Sequence, residues 1–289
     1  MNTLIRVNGF IGDALFASSI ADNLPDFDTV DFVIQVFQPY ELLRLNPNIR
    51  NVFMMDTSYN NYDVNQYDKV YSVGLVDQSR PATIQYQEKC GVKTPSLGYT
   101  VYTNEIYDEV ARKMFEPYRK DGIKIITHQA NWRERSFLFT PEEYRLGVDV
   151  PTFGYGGKHR DIEKILKVIH TSGERVLLVP VGFDNGVGQH DTGMLTTSIY
   201  SMTASIIKES DIMIGAEGGL TNLAAGVGTK TVITTDFIWQ LYGPNGVLKK
   251  IENPKMGPYT YFPRDGHVGL DPFLTDEEVG SEIVRIINE

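Results

Sequence analysis

Residues 212–235 read IMIGAEGGLTNLAAGVGTKTVITT: an apolar run, two adjacent glycines, small and apolar residues at helical spacing, then a second apolar run from Thr231 to Thr234. A strand, a helix and a strand joined this closely leave little choice of fold. Strands connected through a helix pair in parallel, and ligands of such sheets bind outside the carboxyl ends of the strands. Gly218 and Gly219 stand at that end. They remove side chains where a helix exposes unpaired N–H groups and its positive dipole end, a seat for a diphosphate. Ala224, Ala225 and Gly226 let the helix pack close to the sheet. The same residues also fit a tight turn with Glu217 as a solvated or first-turn carboxylate, and on chemistry alone the two readings weigh equally.

The pattern recurs along the chain. In the first half, strands are expected at Leu4 to Val7, Val30 to Val36, Val52 to Met55 and Lys69 to Val73. A helix carries Phe16, Ile20 and Leu24, a helical turn spans Tyr40 to Leu45, and a longer helix spans Asn104 to Tyr118. In the second half, strands at Ile123 to Thr127, Val176 to Val181, Asp211 to Gly215 and Thr231 to Thr234 alternate with helices at Asp161 to His170, Ser201 to Glu209 and Leu220 to Gly226. Asp56 to Asp68, rich in Asn, Asp and Tyr, reads as a surface loop in which an aromatic could stack on a sugar or base. With 289 residues, the chain is expected to divide near Arg119 to Gly122 into two Rossmann-like domains, 1–120 and 121–289. A terminal helix, 275–288, opens with Thr275 and Glu278 at capping-box spacing and is free to dock back toward the first domain.

A formal charge of −10 repels nucleic acid phosphates and anionic membranes, although a local basic pocket stays compatible with it. The single Cys90 permits no disulfide within the chain and reads as a small buried thiol. MNTLIRVNGF lacks a basic segment followed by an apolar one, and no run approaches 18 uncharged apolar residues, so a soluble, cytoplasmic protein is expected. No metal is expected: the five histidines form no H-x-x-x-H pair, and Asp26 to Asp28 lies at the wrong end of the sheet.

Two further loops share the carboxyl end. VNGFIGDALFASSI places Gly9, Gly12 and Asp13 at a helix start, without the spacing of a dinucleotide fingerprint. Asp13 there is either a general base or an ordinary acid stabilising the helix dipole. THQANWRERS places His128, Arg133 and Arg135 after a strand, as phosphate ligands or as a solvated loop pinned by Trp132. Lys158 and Arg160 fit a loop leading into a helix better than a phosphate site.

Taken together, GDALFASSIADNLPDF, from Gly12, and SMTASIIKESDIMIGAEGGLTNLAAGVGTKTV, from Ser201, resemble the ADP-heptose:lipopolysaccharide heptosyltransferases, glycosyltransferase family 9. The resemblance implies an α/β, GT-B type fold, two Rossmann-like domains with parallel sheets facing a central cleft, 1–120 on the acceptor side and 121–289 on the nucleotide-sugar side. It implies Asp13 as catalytic base, with Gly9 and Gly12 in its loop. It places Glu217, Gly218, Gly219, Leu220, Thr221 and Asn222 at the donor, joined by His128 and by Arg133 or Arg135. Glu217 stands where the family usually has Asp, Gly218 where it has Ser or Thr, and Asn222 where it has His; the 56–68 loop holds no lysine-rich acceptor motif. The implied activity is a metal-independent, inverting transfer from a nucleoside-diphosphate sugar to an acceptor hydroxyl, with no cofactor. A glycan is the first acceptor to consider; a nucleic acid acceptor runs against the charge. The alternatives are a nucleotide-sugar epimerase of the same fold and a non-catalytic nucleotide-sugar or glycan-binding module.

Overall fold

The computed structural model describes residues 1–9, 11–24, 29–55, 62–74, 81–129, 161–182, 195–196, 200–216, 218–235, 267–270 and 274–289. In the first half the elements are β1 (Asn2–Val7), α1 (Ile11–Asn23), β2 (Thr29–Ile34), α2 (Tyr40–Leu45), β3 (Ile49–Met54), β4 (Lys69–Val73), α3 (Ala82–Lys89) and α4 (Glu105–Lys120). The second half adds β5 (Lys124–Gln129), α5 (Ile162–Thr171), β6 (Val176–Gly182), β7 (Leu195–Thr196), α6 (Tyr200–Lys208) and β8 (Ile212–Ala216). It ends with α7 (Gly219–Val227), β9 (Thr231–Thr235), β10 (His267–Gly269) and α8 (Asp276–Ile287).

Among the described residues every strand pairing is parallel. The first sheet has the order β3-β2-β1-β4 and the second β7-β6-β5-β8-β9-β10. In each, the order reverses beside the first strand of the half, between β1 and β4 and again between β5 and β8. Helices leave to opposite faces at such a reversal, and a crevice opens outside the carboxyl ends. The strands explain their own burial. Val30 to Ile34 is buried without interruption, the mark of a parallel strand covered on both faces.

Helix α1 is buried from Ala14 to Ala21 because it packs against β1, α3 and α7 at once. Its hydroxyls avoid an unpaired state: Ser18 donates to the Leu15 carbonyl and Ser19 to that of Phe16. Helix α3, absent from the sequence reading, packs along α1. Its signal was there in Ala82, Tyr86 and Cys90 at i, i+4, i+8, all buried, but the intervening Gln, Glu and Lys residues hid it. Strands β7 and β10 were also missed; at two and three residues they are too short for a period to show. Strand β2 stops at Ile34, short of the expected Val36, because the Ile34 carbonyl takes its last ladder bond from Met55 N–H.

The connection between halves adheres mainly to the second. Tyr99 donates to the Asn222 carbonyl at 2.6 Å, and Val101 N–H bonds the Gly226 carbonyl at 2.9 Å. A Cβ on Gly226 would overlap Val101, so the bare face of that glycine receives the connection rather than the sheet. Helix α4 then lies on α6, burying Ala111 and Phe115. Asp108 beside them accepts from Ser205 at 2.6 Å, Lys208 at 2.7 Å and Thr103 at 2.8 Å.

Among the described residues the apolar interior forms two clusters, but not one per half. The larger runs from β1, α1 and β2 through Tyr99 and Phe115 into α6 and α7. The smaller covers the other face of the second sheet, where Val279, Ile283 and Ile286 of α8 meet Ile165 and Ile169 of α5. Helix α8 therefore seats on the second layer, with its Thr275–Glu278 capping box formed.

Candidate functional site

Asp13 sits in the first turn of α1, directly after the carboxyl end of β1. Its Oδ1 accepts a 2.6 Å hydrogen bond from the Tyr86 hydroxyl of α3. Oδ2 lies against Gly9, whose α-carbon has no room for a methyl group on that side. Gly9 N–H in turn bonds Gln35 Oε1 at 3.1 Å, tying the β1–α1 loop to the end of β2. The glycine thus serves as a bare wall for the carboxylate, a role its spacing could not reveal.

Across the boundary, α7 begins at the carboxyl end of β8. Gly218 precedes it in an extended conformation, and a Cβ built there meets nothing within 4 Å among the described residues. The first intrahelical bond runs from Asn222 N–H to the Gly218 carbonyl, so the turn before it presents helix-start N–H groups. The Thr221 hydroxyl accepts from Gly218 N–H and donates to the Gly218 carbonyl, both at 3.0 Å, which fixes the turn. Leu220 is buried in the larger cluster and contributes only backbone to this edge.

The two helix starts meet. A Cβ on Gly12 would overlap Asn222 Nδ2, and one on Gly219 would lie 3.3 Å from both Ile11 Cβ and the Tyr200 hydroxyl oxygen. Asn222 is 4% exposed, and its Oδ1 makes no hydrogen bond among the described residues. A buried carbonyl oxygen left so costs about 1–3 kcal/mol, which a bound hydroxyl or water would recover. Tyr200 is fully buried, and burial pushes its phenol well above its ordinary range. Beside it Ser201 donates to Glu41 Oε2 of α2 at 2.8 Å, a further polar tie between halves. His128 lies near the end of β5, between Pro180 of β6 and Ile214 of β8, and is nearly buried. Gln129 follows it, with its side chain over Gly215.

On the first-half rim, two residues beyond Gln35, Phe37 is 63% exposed. Its ring stacks on Tyr40 with centroids 5.6 Å apart and planes 13° from parallel, and the Arg44 guanidinium lies 5.6 Å from the Tyr40 centroid. This is a flat aromatic surface within about 7 Å of chain from Gln35, the residue that holds Gly9.

The structure thus brings together Gly9, Gly12, Asp13, Gly218, Gly219, Thr221 and Asn222 around one contact, with His128 on the neighbouring strand end. Glu217, Arg133 and Arg135 lie outside the described residues, as do Trp132, Lys158, Arg160 and Asp26 to Asp28. Tyr86, Tyr99, Tyr200, Glu41 and the Phe37–Tyr40 pair were missed; of these, only Tyr86 had a periodic signal. Cys90 is buried, and burial pushes its thiol up to about 12, as a small core residue rather than a nucleophile. Among the described residues no three His, Cys, Asp or Glu side chains are placed to share a metal, and no helix is long and apolar enough to cross a membrane.

In fold, the chain is similar to a family 9 glycosyl transferase from Veillonella parvula: TM-score 0.65, 12% identity, 99% of this chain and 97% of that one. It is similar to ADP-heptose LPS heptosyltransferase II of E. coli: TM-score 0.62, 12% identity, 100% of this chain and 99% of that one. A third is TibC of enterotoxigenic E. coli, a dodecameric iron-containing heptosyltransferase solved with ADP-D-beta-D-heptose: TM-score 0.54, 12% identity, 99% of this chain and 76% of that one. No protein-family model and no curated sequence matches the chain. At such identities the likeness establishes architecture: an α/β fold of GT-B type, built from two Rossmann-like halves.

Proposed function

We propose that the protein is a glycosyltransferase that moves a sugar from a nucleoside diphosphate to an acceptor hydroxyl, with inversion at the anomeric carbon and without a metal. One observation carries the reading. The start of α1, which carries the Asp13 carboxylate, meets the start of α7 across the contact between halves, and a Cβ on the leading Gly218 of α7 meets nothing within 4 Å among the described residues. The fold likeness to proteins named as heptosyltransferases, one of them solved with an ADP-sugar, favours the same class of donor.

The chemistry follows from the placement. Asp13 takes the proton of the acceptor hydroxyl as its oxygen attacks the anomeric carbon. The bond to the diphosphate breaks on the opposite face of the sugar, and the departing charge is received by the N–H groups and dipole of α7. Arg133 or Arg135 is assigned to the same diphosphate on sequence grounds. The Phe37–Tyr40 surface supplies the acceptor side, since a pyranose offers a flat C–H face to an aromatic ring.

Purified protein is screened by thermal shift against ADP-, UDP-, GDP- and dTDP-sugars and the free diphosphates, with ADP-heptose included. Expected is a stabilising donor whose effect survives Asp13→Asn but is lost in Gly218→Val, whose Cβ meets no described residue within 4 Å. Transfer to a glycan acceptor should then disappear in Asp13→Asn. Near-normal turnover in that variant overturns the base assignment. An isomerised nucleotide-sugar formed without acceptor favours an epimerase, and donor binding with neither product favours a binding module. Turnover abolished by a chelator and restored by a metal overturns metal independence.

A further inference from the structure

Tyr86 of α3 donates a hydrogen bond to Asp13. Its side chain is 1% exposed, its hydroxyl lies 2.6 Å from Asp13 Oδ1, and its ring belongs to the larger apolar cluster. An ionised carboxylate only accepts, so the phenol must be the donor. Helix α3 is itself fixed. Gln87, the next residue, donates to Ser19 Oγ of α1 at 3.0 Å and to the Ser96 carbonyl at 2.8 Å, and accepts from Ser96 N–H at 2.9 Å. The phenol is therefore delivered to the carboxylate from a rigid bracket.

We infer that Tyr86 is a positioning residue that holds the Asp13 carboxylate in the orientation needed to take the acceptor proton; this rests on the proposed role of Asp13 as base. An Asp side chain at an exposed helix start has two soft torsions and swings freely. Here two surfaces remove that freedom: the Tyr86 hydroxyl grips Oδ1, and the bare α-carbon of Gly9 backs Oδ2. Both oxygens are located, and with them the carboxylate plane. A phenylalanine would fill the same hydrophobic space. The hydroxyl donates to Asp13, and burying a hydroxyl without a partner costs free energy.

The positioning role and a merely structural one part at the kinetics. In Tyr86→Phe the ring still packs, so the fold and the thermal shift produced by the donor should persist, and donor KM should stay within about 2-fold. The expected loss is in kcat, about 10- to 100-fold, as a base that wanders by an ångström misses the proton. A kcat in Tyr86→Phe within about 2-fold of wild type, while Asp13→Asn abolishes turnover, reduces Tyr86 to a core phenol and overturns the inference alone. Turnover that survives Asp13→Asn removes the base and overturns both. Should Tyr86→Phe fail to fold, 3-fluorotyrosine placed at position 86 keeps the shape and strengthens the donor. An altered kcat at constant donor KM then supports positioning, and an unchanged kcat overturns it.

Discussion

Gly12 and Asn222 touch across the boundary between the two halves, and only hydrogen fits on the Gly12 α-carbon where the Asn222 amide approaches. Gly12→Ala therefore sets two effects against each other. Alanine favours a helix interior over glycine by about 1 kcal/mol, while overpacking a closed contact costs about 1–3 kcal/mol. The single variant should lose up to about 2 kcal/mol in urea unfolding. With Asn222→Ala added the clash is gone, and Gly12→Ala should become stabilising in that background. A penalty of the same sign and size in both backgrounds would mean the two halves do not meet at this point.

Phe37 should matter to the acceptor and not to the fold. At 63% exposure it contributes little to the core, so Phe37→Ala should leave the melting temperature within about 2 °C. Losing an aromatic contact worth about 0.5–1.5 kcal/mol should raise acceptor KM about 3- to 10-fold, with donor binding unchanged. Steady-state kinetics in each substrate separate the two effects. An unchanged acceptor KM would remove the aromatic pair from the acceptor side.

Asp108 ties α4 to α6, and its titration should be visible in stability. Burial opposes its charge, but hydrogen bonds from Lys208, Ser205 and Thr103 and the charge of Lys208 outweigh that, holding the carboxyl below its ordinary 3.8. A depressed folded value means the contribution is complete above the unfolded value and is lost as pH falls through the folded one. Asp108→Asn should cost about 1.5–3 kcal/mol at pH 7. The gap should narrow below about pH 4, where the wild-type carboxyl protonates as well. Urea titrations at pH 7 and pH 3 test this, and a gap independent of pH would assign the loss to packing.

The sequence disclosed what is periodic or punctuated. The βαβ units were legible because parallel strands are continuous apolar runs and helices repeat apolar positions, and the start of α7 because glycines interrupt that pattern. Contacts between distant segments leave no such trace. Nothing in GDALFASS announces that Asp13 is held by a tyrosine 73 positions away, or that Gly12 is bare for the sake of Asn222. Gly226 shows the same gap: its smallness was legible, but the residue it admits, Val101, follows from how the connection runs. Helix α3 stayed hidden because its solvent face, with Gln85, Glu88 and Lys89, is as polar as a loop.

The Asn222 side chain offers the sharpest separation of binding from stability. Its Oδ1 is buried without a hydrogen bond among the described residues, a state that destabilises the empty protein. Replacing an unpaired polar group by an apolar one of similar shape removes that penalty, so Asn222→Leu should be as stable as wild type or up to about 1 kcal/mol more. If the oxygen is held in reserve for a donor hydroxyl, the same variant should bind donor about 3- to 10-fold more weakly, the worth of one neutral hydrogen bond. Stability and affinity then move in opposite directions, as expected of a group kept for a ligand at the expense of the fold. A variant both less stable and equal in donor affinity would make Asn222 a structural link to Gly12 and Tyr99. Titration calorimetry with the donor and urea unfolding of the empty protein, on the same preparation, decide between them.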